Sequence, residues 1–432
     1  MLERLNTIMR PLDKFIIIAF FCSFVNSLAA TAFCILLLLY IQYGAEGEVK
    51  ILFWITIRGI LNTSVAAGIG SGNIKWGILI GASLLVLIKV NLDTQSWKAQ
   101  KVIIKLIFFC IVVGIASIRT SSYPVTASFK IIAFFLTFSA VIKGVSITRE
   151  TCEWTDYLCI VLTMLMVLSF IIIPFGRFRI VNANFQGIFN HVNVMGIMCC
   201  MYLALLLHSG LFAQKNYIRI ILIIVTFIMA FLSASRTGMA SCIAVFVLYM
   251  VSNRKNFDCG KVALVFVGIF IIGCFGLVMG DSVIQDQVHN FVWKGNEKNI
   301  WESRREIIDS SMERYNSHKM AGTGFMVPYI QGIRDYSLKF DLIVEPGNMY
   351  YMLLADTGIV GLLLFVIFGL EIIRCGERKK IYLFVAAIMI NFGEMGFFSS
   401  NNYSVLMYFL IAIYMFDLGD YNYSEISYQN ME

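Results

Sequence analysis

The sequence predicts an all-α polytopic integral membrane protein with about 12–14 transmembrane helices and one large external loop. Of its 432 residues, 59% are hydrophobic and only 14% are charged, whereas a soluble protein carries about a quarter charged residues. Apolar runs of roughly 20 residues, long enough to cross a bilayer core, recur from Phe15 to Asp417. These runs are continuous rather than alternating, so they predict helices and not the strands of a barrel.

The candidate spans leave the first half of the chain ambiguous. If every basic loop is cytoplasmic, segments 15–41 and 51–68 cannot both be single crossings. One interpretation, which we favour, is that 15–41 forms a hairpin that breaks near Asn26 and Ser27. The other is that 51–68 does not cross the membrane, because Arg58 lies near its centre. We expect an uncleaved first span, because the apolar run continues past a sequence resembling a cleavage site. The candidate spans are 15–41, 51–68, 76–90, 102–117, 126–142, 157–173, 187–207, 218–232, 237–251, 262–279, 349–373, 381–397 and 405–416.

Basic residues orient the second half of the chain. Lysines and arginines within 215–219, 254–261 and 374–380 mark cytoplasmic loops, because positive charge collects on that side. Alternation then predicts that four segments lie outside: 174–186, 233–236, 281–346 and 399–403. The chain therefore divides into an N-terminal transmembrane bundle (1–280), a large extracytoplasmic loop (281–346), and C-terminal transmembrane helices with a short cytoplasmic tail (347–432).

Charge and cysteine usage exclude several classes of function. The formal net charge of +7 resides mostly in short loops between spans, which is a topology signal rather than a nucleic-acid surface. Most of the 11 cysteines lie inside apolar spans, so neither a disulfide framework nor a Cys/His metal site is predicted. No internal repeat of the kind found in inverted-repeat transporters is visible. We expect no metal, no cofactor and no nucleic-acid partner.

Arginines on the predicted outer side are the first candidates for chemistry. Arg177 and Arg179 lie just outside one span, and His191 and Asn193 lie in the first turns of the next. Arg236 stands in a turn that is too short to be anything but a tight outer hairpin. Guanidinium groups bind phosphate through a planar fork of donors. The structural alternatives are arginines that snorkel to lipid headgroups and polar residues that cap a helix.

The large loop and the helix after it add a second group of candidates. Arg304 and Arg305 lie among helically spaced apolar residues, although with Glu302 and Glu306 they could form a solvated face. Asp356 lies about two turns into an apolar helix, where an ionisable residue is expected to be functional or to pair with an arginine. The others lie where the loop returns to the membrane: Glu345, Asn348 and Tyr350.

Taken in their order along the chain, these motifs resemble those of the O-antigen polymerase and O-antigen ligase family, which includes the Wzy-type polysaccharide polymerases. The resemblance covers roughly 176–361. It rests on Ser235-Arg236-Thr237-Gly238, on Arg304 or Arg305 followed by Gly322-Thr323-Gly324-Phe325, and on 348–361. The pattern Gly187-x-Phe189-x-His191-x-Asn193 is also similar to one found there.

One position departs from the family pattern. Many members have a histidine directly before the asparagine that opens the helix after the loop, and this chain has Gly347. A histidine base at that position is therefore excluded. Glu345, His318 or a substrate-assisted route would have to replace it, or no strong base is needed.

The resemblance implies glycosyl transfer from a polyprenyl-diphosphate donor, such as undecaprenyl diphosphate, on the outer face of the bacterial cytoplasmic (inner) membrane. Preorganised arginines can stabilise a leaving diphosphate without a metal, and a carboxylate or imidazole can accept the proton of a sugar hydroxyl. The catalytic candidates are Arg236, Arg304, Arg305 and Glu345, and the substrate-binding candidates are Arg177, Arg179, His191, Asn193, Asn348, Tyr350 and Asp356.

Several functions stay open on the sequence. The leading hypothesis is a metal-independent polysaccharide polymerase that joins lipid-linked oligosaccharide repeat units into capsule, O-antigen or exopolysaccharide, with a flippase and a chain-length regulator as further partners. The alternative within the family is a ligase that moves finished glycan onto lipid A core, protein or another acceptor. A polysaccharide flippase or transporter would instead predict charged mid-membrane helices and pseudo-symmetry. A receptor without enzymatic activity would leave the outer arginines unexplained.

Overall fold

The computed structural model describes residues 2–70, 72–89, 94–173, 180–181, 184–212, 216–253, 302–327, 348–394, 396–400 and 402–417. Helices dominate this part of the chain. They are α1 (Leu2–Ile8), α2 (Pro11–Cys22), α3 (Ser27–Leu36), α4 (Ala45–Gly59), α5 (Gly72–Ile88), α6 (Thr94–Thr120), α7 (Pro124–Thr148), α8 (Trp154–Ile171), α9 (Val192–His208), α10 (Asn216–Leu232), α11 (Arg236–Ser252), α12 (Glu302–Ser317), α13 (Met349–Cys375), α14 (Ile381–Met389) and α15 (Ser404–Phe416). Short 3-10 helices follow α3 (Leu37–Tyr43) and flank α14 (Arg378–Lys380 and Ile390–Phe392), and a two-stranded antiparallel hairpin pairs β1 (Ile180–Val181) with β2 (Asn184–Phe185).

The described helices include several that are suited to a membrane. Those long and apolar enough to cross it are Trp97–Thr120 within α6, together with α7, α8 and α13. Large apolar side chains on these helices face outward, as Phe108 does at 59% exposure and Leu363 at 57%, which suits contact with lipid tails. The shorter apolar helices are Ser27–Tyr43, Gly72–Ile88, Val192–His208, Tyr217–Leu232, Arg236–Ser252 and Ser404–Phe416. The predicted all-α, multi-pass membrane architecture is thereby confirmed, and the predicted span 262–279 lies outside the described residues.

The first predicted span is broken at Asn26, as the hairpin interpretation expects. α2 ends at Cys22 and α3 begins at Ser27, where the Asn26 side-chain oxygen accepts a hydrogen bond from the Ala29 amide at 2.8 Å. Asparagine suits this position because its short side chain satisfies a backbone N–H that has no partner inside the helix. The two short helices pack against each other.

The second predicted span, 51–68, differs from the structure at both ends. α4 already begins at Ala45 and ends at Gly59, is buried along almost its whole length, and is followed by irregular chain. Arg58 lies in the last turn of α4 and donates hydrogen bonds to the hydroxyl and the carbonyl oxygen of Ser23. This arginine therefore faces protein rather than lipid, which removes the cost that its position implied.

Charged side chains are buried at the start of α4 because they pair with one another. Lys50 Nζ lies 2.9 Å from both Asp13 Oδ2 and Glu46 Oε1, and the Tyr40 hydroxyl donates to Asp13 at 2.7 Å. All of these residues are at most 4% exposed. Hydropathy places the start of the predicted span 51–68 after these charges, because a hydropathy value does not include the pairing of charges inside the fold.

The helices that carry the candidate site approach one another at backbone distance. A Cβ atom on Gly238 of α11 would come within 2.8 Å of the Gly196 backbone of α9, so only glycine permits this crossing. α14 packs against both helices. The first turns of α9 and α11 consequently lie side by side.

Candidate functional site

The segment 388–394, at the end of α14, is where most of the described candidates meet. It comprises the last turn of α14, the 3-10 helix Ile390–Phe392, and then Gly393 and Glu394. The first residues of α9, α11 and α13 each make a contact with it. The predicted topology puts these helix starts on one side of the membrane, and in the fold they lie close together.

The Arg236 turn is as tight as predicted. α10 ends at Leu232 and α11 begins at Arg236, whose side chain is half-buried. Ser235 caps the helix, because its Oγ accepts from the Gly238 amide at 3.2 Å. A Cβ on Gly393 would lie 1.8 Å from Thr237 Oγ1, so the first turn of α11 is pressed directly against the 388–394 segment.

His191 and Asn193 form the start of α9. His191 Nδ1 accepts a hydrogen bond from the Asn193 amide at 3.1 Å and so caps the helix. In this role Nδ1 carries no proton, which leaves the proton of a neutral imidazole on Nε2. The Asn193 side-chain amide donates to Glu394 Oε1. A Cβ on Gly196 would lie 2.4 Å from Ser235 Cβ, so this helix start adjoins the Arg236 turn.

Asn348 and Tyr350 attach the start of α13 to the same segment. Asn348 Oδ1 accepts from the amides of Tyr350 at 2.9 Å and Tyr351 at 3.3 Å, and its Nδ2 donates to the Phe392 carbonyl at 3.0 Å. The Tyr350 and Phe392 rings pack with centroids 4.5 Å apart, and the Tyr350 hydroxyl donates to the Ile388 carbonyl at 3.3 Å. Asn348 and Tyr350 therefore hold the start of α13 against the 388–394 segment.

The resulting arrangement can bind an anion. The N-terminal end of an α-helix carries a partial positive charge, and α9, α11 and α13 all begin here. Arg236 adds a full charge at the first position of α11. Together these groups suit a phosphate or diphosphate bound without a metal.

Glu394 is a residue of this region that the motif analysis missed. It is 7% exposed and accepts a hydrogen bond from Asn193. The signal was present, since an ionisable residue inside the predicted span 381–397 is expected to have a function or a partner. Glu394 is far in sequence from the other motifs, so no local pattern links it to them.

Asp356 belongs to a separate cluster. It is 2% exposed, and its carboxylate accepts from Arg314 Nη2 at 2.5 Å and from the Met326 amide at 2.7 Å. Arg314 lies in α12 together with Arg304 and Arg305, and no local pattern distinguishes it from them. The side chains of Arg304 and Arg305, and the whole of Arg177, Arg179 and Glu345, lie outside the described part of the chain.

The fold and this geometry define a multi-pass helical membrane protein in which Arg236 and the starts of three helices meet at one end of the bundle. A family model described as O-antigen ligase matches residues 221–366, a range that contains the Arg236 turn, α12 and the first part of α13. The match confirms the resemblance to the O-antigen polymerase and ligase family, and it supports glycan processing at a membrane as the class of activity. No curated protein matches the chain.

Proposed function

We propose that the protein is a polysaccharide polymerase of the bacterial cytoplasmic membrane. It would transfer the growing glycan from its polyprenyl-diphosphate carrier to the next lipid-linked repeat unit. The observation that carries this proposal is the convergence of Arg236 and the starts of α9, α11 and α13 on the 388–394 segment. This is where the diphosphate of the donor would bind.

In the proposed reaction, a hydroxyl oxygen of the acceptor sugar attacks the anomeric carbon of the donor. The bond from that carbon to the diphosphate oxygen breaks, and the polyprenyl diphosphate leaves with the bonding electron pair. Negative charge grows on the departing oxygen, so Arg236 and the helix starts stabilise the transition state more than the bound donor. No metal is required for this stabilisation in the proposal.

The acceptor hydroxyl loses one proton in this step, and the site contains two described groups that could receive it. Glu394 is held by the amide of Asn193, and His191 is exposed at the neighbouring helix start. Because Gly347 occupies the position where many relatives have histidine, we propose Glu394 as the proton acceptor in this chain. Glu345 remains the candidate that the sequence favoured for this role.

The remaining candidates take supporting roles in the proposal. Asn348 and Tyr350 would shape the wall of the site, and Asn193 would orient Glu394. The large loop, with Arg304 and Arg305, would cover the donor and exclude water, since hydrolysis competes with transfer. Arg177 and Arg179 would contribute further positive charge. A flippase that supplies repeat units and a regulator of chain length are the proposed protein partners.

A ligase is the second candidate, because the matching family model carries that description. A ligase would break the same donor bond but would use a different acceptor, such as lipid A core or a protein. A flippase or transporter would not need Arg236 and the starts of α9, α11 and α13 to meet at one point, and this meeting is the basis of the proposal.

A gene deletion separates the two enzymes. Loss of a polymerase leaves a single repeat unit on the carrier lipid, whereas loss of a ligase leaves long polymer there. The carrier-linked glycans are extracted and sized on a gel, with the wild-type gene restored as the control. Long polymer on the carrier would replace the polymerase assignment by the ligase, and an unchanged glycan profile would overturn both.

A further inference from the structure

The described part of the large loop is tied to α13 by a polar cluster. We call it the loop anchor and define it as Arg314, Thr323, Met326 and Asp356. Arg314 donates from Nη2 to Asp356 Oδ1 at 2.5 Å, and from Nε and Nη2 to Thr323 Oγ1 at 3.0 and 2.7 Å. The Met326 amide donates to Asp356 Oδ2 at 2.7 Å. Both carboxylate oxygens are therefore engaged with the loop, inside the fold.

The loop also inserts into the backbone hydrogen bonding of α13. Gly358 interrupts the helix with a φ of +65°. The carbonyls of Ala355 and Asp356 accept from the loop amides of Thr323 and Gly324, each at 3.0 Å. In return, the Ile359 amide donates to the Lys319 carbonyl at 2.9 Å, and the Val360 amide to the Met320 carbonyl at 3.4 Å. The break in α13 thus exposes backbone groups that the loop satisfies.

The Gly-Thr-Gly-Phe sequence makes this insertion sterically feasible. A Cβ on Gly322 would lie 2.2 Å from the Asp356 carbonyl, and one on Gly324 would lie 2.5 Å from the side chain of Ser121. Phe325 is 1% exposed and packs its ring 5.1 Å from that of Phe398. The loop therefore places an aromatic side chain in the core of the bundle.

The anchor is connected to the candidate site in two ways. Asp356 lies on α13, the helix whose start at Asn348 contacts Phe392. Phe398, the partner of Phe325, follows Glu394 by four residues along the chain. Arg314 also belongs to the helix that contains Arg304 and Arg305. A rigid helix that is fixed at one end constrains the other end, so the anchor constrains the backbone of the helix to which Arg304 and Arg305 belong.

We propose that the Arg314–Asp356 pair fixes the docked part of the large loop, 302–327, to α13 and that glycan transfer depends on this docking, whereas neither residue contacts the substrate. This inference rests on the proposed function and assigns Asp356 a role different from the substrate-binding role that the sequence suggested. The carboxylate is buried and its oxygens are engaged by Arg314 and Met326. A substrate would have to displace the loop to reach it.

The first test measures whether the pair holds the loop. Val327 is 4% exposed beside the anchor, so a Val327→Cys reporter in purified protein reacts slowly with a maleimide while the loop is docked. Labelling is quantified at the reporter position by mass spectrometry, because the native Cys22 is also exposed. Adding Asp356→Asn leaves the Arg314 charge without its partner, and we expect labelling at least about tenfold faster. Glu313→Gln, an exposed charge change next to Arg314, is the matched control and leaves labelling unchanged. A Met320→Cys reporter at a 63% exposed position provides the fully reactive reference.

The second test measures transfer with purified protein and a lipid-linked repeat unit. If the pair acts as one unit, Arg314→Gln, Asp356→Asn and the double variant lower the rate by a similar factor, at least about tenfold, because removing the second partner adds nothing. Direct substrate contact by Asp356 predicts a different result, in which Asp356→Asn raises KM while Val327→Cys labelling stays slow. That result would overturn the inference, and so would faster labelling with an unchanged transfer rate.

Two further results keep the inference separate from the proposed function. Where the Asp356 variant fails to accumulate in the membrane, Thr323→Val removes only the hydroxyl that Arg314 also binds. We then expect a smaller increase in the labelling rate and a smaller loss of the transfer rate. If wild-type protein forms no polymer from the repeat unit, the polymerase proposal fails. The labelling comparison then still decides whether Arg314 and Asp356 hold the loop, because it requires no activity.

Discussion

The side-chain amide of Asn348 donates a hydrogen bond to the Phe392 carbonyl at 3.0 Å while its oxygen caps α13. One residue thus ends the large loop, starts a helix and joins that helix to the 388–394 segment. The two functions use different atoms of the same side chain, so substitution can separate them.

Asn348→Ala removes both functions, and we expect it to lower the free energy of unfolding by about 1 kcal/mol and to reduce polymer synthesis roughly tenfold. Asn348→Ser keeps an oxygen that caps the helix but is too short to reach the Phe392 carbonyl. It should therefore keep near-normal stability while polymer synthesis still falls. Thermal unfolding in detergent and the transfer rate report the two effects. Equal stability loss in both variants would contradict this separation.

Arg236→Ala should abolish polymer, with a loss of at least about a hundredfold, while the protein stays in the membrane. Its guanidinium supplies the full positive charge at the point where the helix starts meet, and the Arg236 side chain itself is only half-buried. Arg236→Lys keeps a charge but not the planar fork and should retain partial activity. Arg378→Ala, at an exposed arginine in a predicted cytoplasmic turn, is the matched control. Normal polymer in the Arg236→Ala strain would refute the proposed site.

Glu394→Gln tests the proposed proton acceptor. The substitution preserves the shape of the side chain and an oxygen that can accept from Asn193, but it removes the basic carboxylate. We expect the transfer rate to fall by about a hundredfold with little change in KM for the donor. Asn193→Ala should cost less, about fivefold to tenfold, since it only releases Glu394 from its orientation. A Glu394→Gln enzyme at the wild-type rate would exclude the carboxylate from proton transfer.

Gly238→Ala tests the close contact between α9 and α11. The added methyl group would meet the Gly196 backbone at 2.8 Å, so the helices must separate, at about 1–3 kcal/mol. Gly114→Ala in α6 is the matched control, because no atom lies within 4 Å of its added Cβ. We expect a lower Tm and reduced activity for the first variant and an equal or higher Tm for the second. Equal Tm values would show that the crossing tolerates separation.

Local sequence signals account for the helix starts that surround the candidate site. Ser235 and Asn348 both cap helices, and residues of these types favour that position through bonds that span only two or three residues. The pairing of Arg314 with Asp356 could not be predicted from the sequence. The two residues are 42 positions apart, and other arginines near Arg314 were equally plausible partners. Glu394 was missed for the same reason, because its partner Asn193 lies on a helix far away in the chain.

The buried Lys50–Asp13 pair has a consequence for how the protein is made. Asp13 emerges from the ribosome before Lys50, and each charge would be costly if its helix entered the bilayer alone. We therefore expect α2 and α4 to enter the bilayer together, because Asp13 of one helix and Lys50 of the other then neutralise each other. On this expectation, insertion of the protein begins with a pair of helices rather than with successive single helices.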